Sequence, residues 1–348
     1  GSVAANDRTG AVVLTSPQGN TALEIDGASG AVRERVVIDG DVHPTDPAAI
    51  PPDMAARMAA DPGYFHGRPI SGEEVIAALD RAGVDMALCW QNPSVTRYGA
   101  DEARNAEALL AANAAISALA AKWPQRIIPA GWTDPKALGV ARAIALAETC
   151  IDRFGMSVVK MNPAQNAYPI DSQMVFDVVD AIVARGAVPA FHFGADTGYT
   201  PAEGLGRVAA RHPGHPVIGV HMGGGGGHFV ESEETYQKAR RLGLEQPNVF
   251  YILSAKRDVH VRSALVAYAA AGAPFSTSLA CASDAPYGDI VWNFGGYRAL
   301  FEALANDDTD PRLAARPGLF DASMAAGFLG RNLADLVIAA DRRLLAAS

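Results

Sequence analysis

The chain has 348 residues, 49% of them apolar and 19% charged, with 34 Gly, 22 Pro and a mean hydropathy near zero. This is the composition of a globular protein, and α/β barrels routinely use about 250 residues or more in one piece, so one large domain with trimmings is expected. A net charge of -9 argues against a nucleic-acid surface, because phosphate binding needs clustered Lys and Arg.

No apolar run approaches the roughly 18 residues that span a bilayer, and no basic leader precedes an apolar core, so a cytoplasmic protein is expected. Gly1-Ser2 reads as an expression scar. Cys89, Cys150 and Cys281 are widely spaced, odd in number and set in apolar sequence, which points to reduced packing residues rather than a disulfide framework or thiolate zinc cluster.

In chain order, residues 1–35 carry short β-like runs separated by the turn clusters PQGN and GASG, and predict a small β-hairpin or three-stranded appendage. From residue 36 onward eight apolar, strand-length runs follow: RVVID, DMALCW, RIIPAGW, SVVKMN, AVPAFHF, PVIGVHM, NVFYIL and FSTSLACAS. Most gaps between them hold helix-length segments such as SGEEVIAALDRAG, ADEARNAEALLAANAAISALAAKW and DSQMVFDVVDAIVARG. Acidic residues crowd their starts, and Gly83, Gly186 and Gly272 close three of them. Eight βα units with near-continuous apolar strands predict parallel strands covered on both faces, closed into an α/β (β/α)8 TIM barrel over residues 36–348, with one or two closing helices in 318–346.

In such a barrel the active groups sit at the C-terminal ends of the strands. Metal-ligand side chains fall at those ends here: Asp41 and His43 after the first strand, His192 at the fifth, His221 at the sixth and Asp284 at the eighth. Asp41 and His43 are two apart, so an extended chain turns them to one side. A lone His near apolar sequence is more often structural, but five such residues at one rim point to a divalent-metal reaction centre.

Several motifs resemble the amidohydrolase superfamily, in the branch that contains aminocarboxymuconate-semialdehyde and resorcylate-type decarboxylases with several hydrolases and hydratases. They are IDGDVHP, VVKMNP, FHFG, VHMGGG, SDAPYGD and the late FLGRNLADL, spanning about residues 36 to 336. The resemblance implies Asp41, His43, His192 and Asp284 as ligands of one divalent metal, with His221 and Asp284 as the catalytic acid/base groups. Asp41 stands where the superfamily usually has the first histidine of a His-x-His pair. A carboxylate there still serves as a ligand: Zn²⁺ is favoured, with Mn²⁺ as oxygen donors increase.

Lys160 ends the fourth run, where binuclear relatives carry a carboxylated bridging lysine. A substrate-carboxylate contact or buried ion pair is the reading favoured here. Trp90, Asn162 and Tyr287, with Lys160, are assigned to substrate binding, and Gln91, Tyr168, Phe193, Ser254, Lys256 and His260 to the surrounding mouth loops. The Gly run 223–227 lacks the Lys-Ser/Thr ending of a phosphate loop and reads as a close-approach or mobile segment. His228, just beyond the run, is weighed equally between the pocket and the surface, whereas His66, His212 and His215 lie away from strand ends and receive no role.

The expected activity is hydrolysis of a small, aromatic-derived or carboxylated substrate by metal-activated water. The alternative is non-oxidative decarboxylation at the same site, disfavoured because no Arg sits at a strand end to hold a substrate carboxylate. A third reading is a non-catalytic sensor barrel, in which alanine at His221 would leave metal content unchanged and abolish no activity. The expected partner is a small molecule, and a homodimer is implied by resemblance alone.

Overall fold

The computed structural model describes the backbone of residues 3–5, 12–15, 22–25 and 36–347, except 65, 195–197, 225–233, 255–257 and 308. The N-terminal segment contributes three antiparallel strands, β1 (Val3–Ala5), β2 (Val12–Thr15) and β3 (Ala22–Ile25).

The barrel strands follow as β4 (Ile38–Val42), β5 (Met86–Cys89), β6 (Ile127–Pro129), β7 (Gly131–Trp132), β8 (Val158–Met161), β9 (Val188–Gly194), β10 (Val217–Gly224), β11 (Val249–Leu253) and β12 (Leu279–Cys281). All their pairings are parallel, and β6 and β7 are two halves of one barrel strand parted at Ala130. The proline at 129 brings no N–H to the ladder there. Closure comes from a parallel bridge of Val42 with Ala285, where the His43 N–H donates to the Ala285 carbonyl at 2.7 Å.

Each of the eight predicted runs therefore overlaps a barrel strand, although β4 starts only at Ile38 and runs past RVVID to Val42. The last is shorter than its apolar run, because residues Phe275–Thr277 form a 3-10 turn before β12. Every residue of β4, β5, β8, β10 and β11 is buried, as expected for strands covered by the barrel interior on one face and by helices on the other.

Local chemistry fixes the helices as the sequence predicts. Ser71 and Glu74 form a reciprocal capping box at the start of Gly72–Ala82, and Gly83 ends that helix at φ 61°. Asp101 caps Glu102–Lys122. The C-terminal segment runs as Ala322–Ala326 and Asn332–Ala347 with a kink between them. Gly330 in the kink lies against the backbone leading into β4, where a Cβ would fall 2.7 Å from the Ile38 nitrogen. That close approach lets the helix seal the bottom of the barrel, opposite the mouth.

Candidate active site

Asp41, His43, His192, His221 and Asp284 converge at the C-terminal mouth. Asp41 is fully buried near the end of β4 and His43 follows it. Asp41 is held by three donors: the Trp90 indole at 2.7 Å and Lys160 at 3.3 Å on Oδ1, and the Ser254 hydroxyl at 2.7 Å on Oδ2. Burial opposes charge on this carboxylate. The Lys160 ammonium, foremost among the opposing effects, outweighs it and holds this carboxyl well below the usual carboxylate range.

Asp284 follows β12 in the left-handed region at φ 60°, and its side chain is 13% exposed. Burial first, then the Asp41 charge, pushes its carboxyl well above the usual range. His221, at φ 77°, is also left-handed. Such conformations cost about 1–3 kcal/mol each in non-glycine residues and cluster at functional sites.

Ligand atoms of Asp41, His43 and Asp284 lie within 4.8 Å of one another. The His43 Nδ1 sits 2.8 Å from the Gln91 carbonyl, which can only accept, so Nδ1 carries the hydrogen. In the neutral ring Nε2 is then a bare lone pair, 3.3 Å from Asp41 Oδ1 and 3.7 Å from Asp284 Oδ1. Three electron-rich atoms facing one another fit a cation between them. Burial and the charges of His221 and Lys160 hold His192 well below its ordinary value, the neutral state that a ligating imidazole needs.

A cavity of about 190 Å³ opens onto this cluster, lined by His43, His192, His221, Asp284, Lys160 and Trp132. Tyr287, His66, Gln165, Pro93 and Gly224 complete the lining. Lys160 is 1% exposed, with its ammonium 4.4 Å from the Trp90 ring centre and 5.1 Å from that of Trp132. Trp90 thus stands behind Lys160 and orients Asp41. Tyr287 hydrogen-bonds through its hydroxyl to Ser94 and, at 3.0 Å, to Asn92.

Asn162 caps the turn Pro163–Asn166, accepting from the Gln165 N–H at 3.1 Å, and it is Gln165 that lines the cavity. His66, given no role from sequence, reaches the lining with its Nδ1 2.8 Å from the Tyr287 carbonyl. A Gly- and Pro-containing loop conceals that approach, which depends on a partner 221 positions away in the chain. His212 and His215 do serve structure, against Asp180 at 2.8 Å and the Ala187 carbonyl at 2.7 Å.

Asp39 is the other residue hidden from the sequence reading. It is buried, accepts from the Ser283 N–H at 2.9 Å and the Asp41 N–H at 3.3 Å, and burial pushes its carboxyl up to about 7. Its i,i+2 spacing from Asp41 in β4 was the available signal. Gly225 to Gly227, His228 and Lys256 lie outside the described residues.

A (β/α)8 barrel with convergent carboxylates and imidazoles at its C-terminal mouth defines a class of metal-centre enzymes. The chain belongs to the amidohydrolase family, whose sequence profile matches residues 38–307. No curated protein matches it by sequence. Among solved structures it resembles the 5-carboxyvanillate decarboxylase of Sphingomonas paucimobilis (17% identity, TM-score 0.58, 87% of this chain and 98% of that one). It also resembles a dihydroxybenzoic acid decarboxylase of Polaromonas sp. JS666 with bound manganese and 2-nitroresorcinol (15% identity, TM-score 0.61, 87% and 96%). A third is the manganese complex of the 5-carboxyvanillate decarboxylase of Novosphingobium aromaticivorans DSM 12444 (14% identity, TM-score 0.61, 87% and 96%). These likenesses are likenesses of fold. No helix among the described residues is long and apolar enough to cross a membrane.

Proposed function

We propose that this protein is a divalent-metal-dependent, non-oxidative decarboxylase of a small aromatic carboxylic acid. The observation that carries the reading is the Lys160 ammonium, buried between Trp90 and Trp132 and lining the cavity beside the donor cluster. From sequence, hydrolysis stands first because no strand-end Arg offers a cation for a substrate carboxylate. Lys160 supplies that cation, and the reading turns toward carboxy-lyase chemistry. The relatives that decarboxylate carboxyvanillate and dihydroxybenzoate support the same direction.

At about 190 Å³ the cavity is below the roughly 300–1,000 Å³ of pockets for drug-sized ligands, which suits a single substituted ring. Trp132 and Tyr287 give it aromatic walls. Asp41, His43, His192 and Asp284 would hold the metal, two nitrogen and two oxygen donors suited to Zn²⁺ or Mn²⁺. When bound, the ion supplies Lewis-acid charge to anionic oxygens of the substrate.

Lys160 orients the ring through its oxygens. Asp284, partly open to the cavity, would deliver a proton to the ring carbon as the bond to CO2 breaks. His221 returns a proton to the site.

The test is a panel of hydroxy- and methoxy-substituted benzoic acids given to Mn²⁺- and Zn²⁺-loaded protein, with CO2 release measured. Reaction in D2O should place one deuterium on the carbon that carried the carboxylate. Turnover of lactones, esters or amides without CO2 release would return the assignment to hydrolysis, and protein that binds neither metal would overturn both chemistries.

A further inference from the structure

Among the residues lining the cavity, Gln165 has a side-chain amide whose two ends are told apart by chemistry. The Gln165 backbone N–H can only donate, so the Asn162 side-chain atom that meets it at 3.1 Å is the carbonyl oxygen Oδ1. The other end of Asn162 is then Nδ2, a donor, and the Gln165 side-chain atom 2.7 Å from it is the acceptor Oε1. With its oxygen engaged, Gln165 has an NH2 group left for the cavity that it lines, which can give hydrogen bonds and accept none.

The turn that carries this amide is pinned from several sides. Asn162 is 1% exposed and follows β8, two positions after Lys160. The Lys136 ammonium donates to the carbonyls of Asn166 and Ala167 at 3.0 Å each, and the Asn166 side-chain amide donates to the Asp134 carboxylate. Ala167 ends the turn in the left-handed region at φ 58°, a conformation that a residue other than glycine keeps only where its surroundings enforce it. Gln165 itself is exposed at the mouth, so a fixed donor stands where a substrate would enter.

We infer that Gln165 is a specificity-determining residue that donates to an acceptor oxygen on the substrate ring, so that acids carrying a methoxy group there are preferred to those carrying an alkyl group of the same size. β8, which leads into the turn, is the fourth of the eight barrel strands, and β12, which leads to Asp284, is the eighth, so the two stand on opposite sides of the mouth. An oxygen that reaches Gln165 lies away from the carbon that Asp284 protonates, which places it at position 3 or 4 of a benzoic acid and not beside the carboxylate. The inference rests on the aromatic-acid reading proposed above and names the substituent that reading requires.

The test is calorimetric binding, to Mn²⁺-loaded wild type, of benzoic acids bearing methoxy or ethyl at position 3 or 4. The two groups are alike in size, and only methoxy has an acceptor. Wild type should bind the methoxy acid about 3- to 10-fold more tightly than its ethyl partner at one of these positions, the worth of one neutral hydrogen bond. Gln165→Met, of similar length without the NH2 group, should erase that difference. Gln165→Glu keeps an oxygen for Asn162 and turns the cavity end from donor to acceptor, so it should favour hydroxyl over methoxy, a reversal that loss of packing would not produce.

Equal binding of methoxy and ethyl acids to the wild type at both positions would overturn the inference, whether or not the variants fold, and CO2 release from those acids would then leave the proposed reaction intact. A methoxy preference that persists in Q165M would overturn it too. A preference lost in Q165M, with no CO2 released from either acid, would overturn decarboxylation and leave the role of Gln165 standing. Binding of none of these acids would overturn both.

Discussion

Replacing Lys160 by methionine isolates the contribution of one buried cation while retaining an unbranched side chain between Trp90 and Trp132. The ammonium lies 3.3 Å from Asp41 Oδ1, and Coulomb's law at an effective dielectric of 20 gives about 5 kcal/mol of gross attraction. Truncating one partner of such a pair leaves the other charge buried, at a net cost of about 3–5 kcal/mol. Unfolding entropy of about 2.1 cal/mol/K per residue converts 4 kcal/mol into a Tm drop of ~5 °C for a chain of 348 residues.

The assay is calorimetry of metal-free wild type and K160M from pH 7 downward. Asp41 has a lowered folded pKa, so its ionised form stabilises the fold above its ordinary value of 3.8, and that contribution is lost as pH falls through the lowered value. The gap between the two proteins should therefore narrow on acidification. A Tm change under about 1 °C at pH 7 would refute the buried-pair reasoning, because a pair worth ~3 kcal/mol cannot vanish so quietly. The same variant should lose roughly 100-fold or more in CO2 release from an aromatic acid, since the substrate carboxylate would meet no buried cation.

Further outcomes follow from the packing and titration of the barrel. Asp134 caps Pro135–Leu138, and burial raises its pKa from 3.8 to about 6, so the native state binds the proton more tightly and stability should rise as pH falls from above 6 toward 4. The span is about 3 kcal/mol, and Asp134→Asn should flatten it in urea unfolding at pH 4.5 against pH 7.5. Gly219 in β10 leaves no room for a methyl group, because a Cβ would fall 2.7 Å from the Tyr251 ring and 3.0 Å from Leu205. Gly219→Ala should cost about 1–3 kcal/mol in the same assay, and an unchanged midpoint would contradict the packing. Asp39→Ala removes the acceptor shared by the Ser283 and Asp41 N–H groups and should cost about 1–3 kcal/mol, read by denaturation, with metal affinity weakened because both flanking site residues lose their anchor.

The architecture was legible before the structure because it rests on local rules. Continuous apolar runs such as VVKM and VFYIL can be satisfied only by strands buried on both faces, and Ser71, Glu74 and Gly83 mark helix ends through backbone groups a few residues away. Strand-end placement likewise brought out Asp41, His43, His192, His221 and Asp284, since parallel strands closed into a barrel send all their C-terminal ends to one mouth. The single-letter pattern stopped short where function depends on direction and distance. Nothing local to Ser254 says that its hydrogen points at a carboxylate 213 positions away, nor that His66 meets a carbonyl 221 positions away. Lys160 reads from sequence as one strand-end lysine among several roles; tertiary packing alone sets it against Asp41 and two indoles, and so turns a generic cation into the charge that decides between readings of the site. Short-range propensity comes from steric and capping rules that act within a few residues, whereas hydrogen-bond polarity and charge pairing are fixed only when distant strands close the barrel.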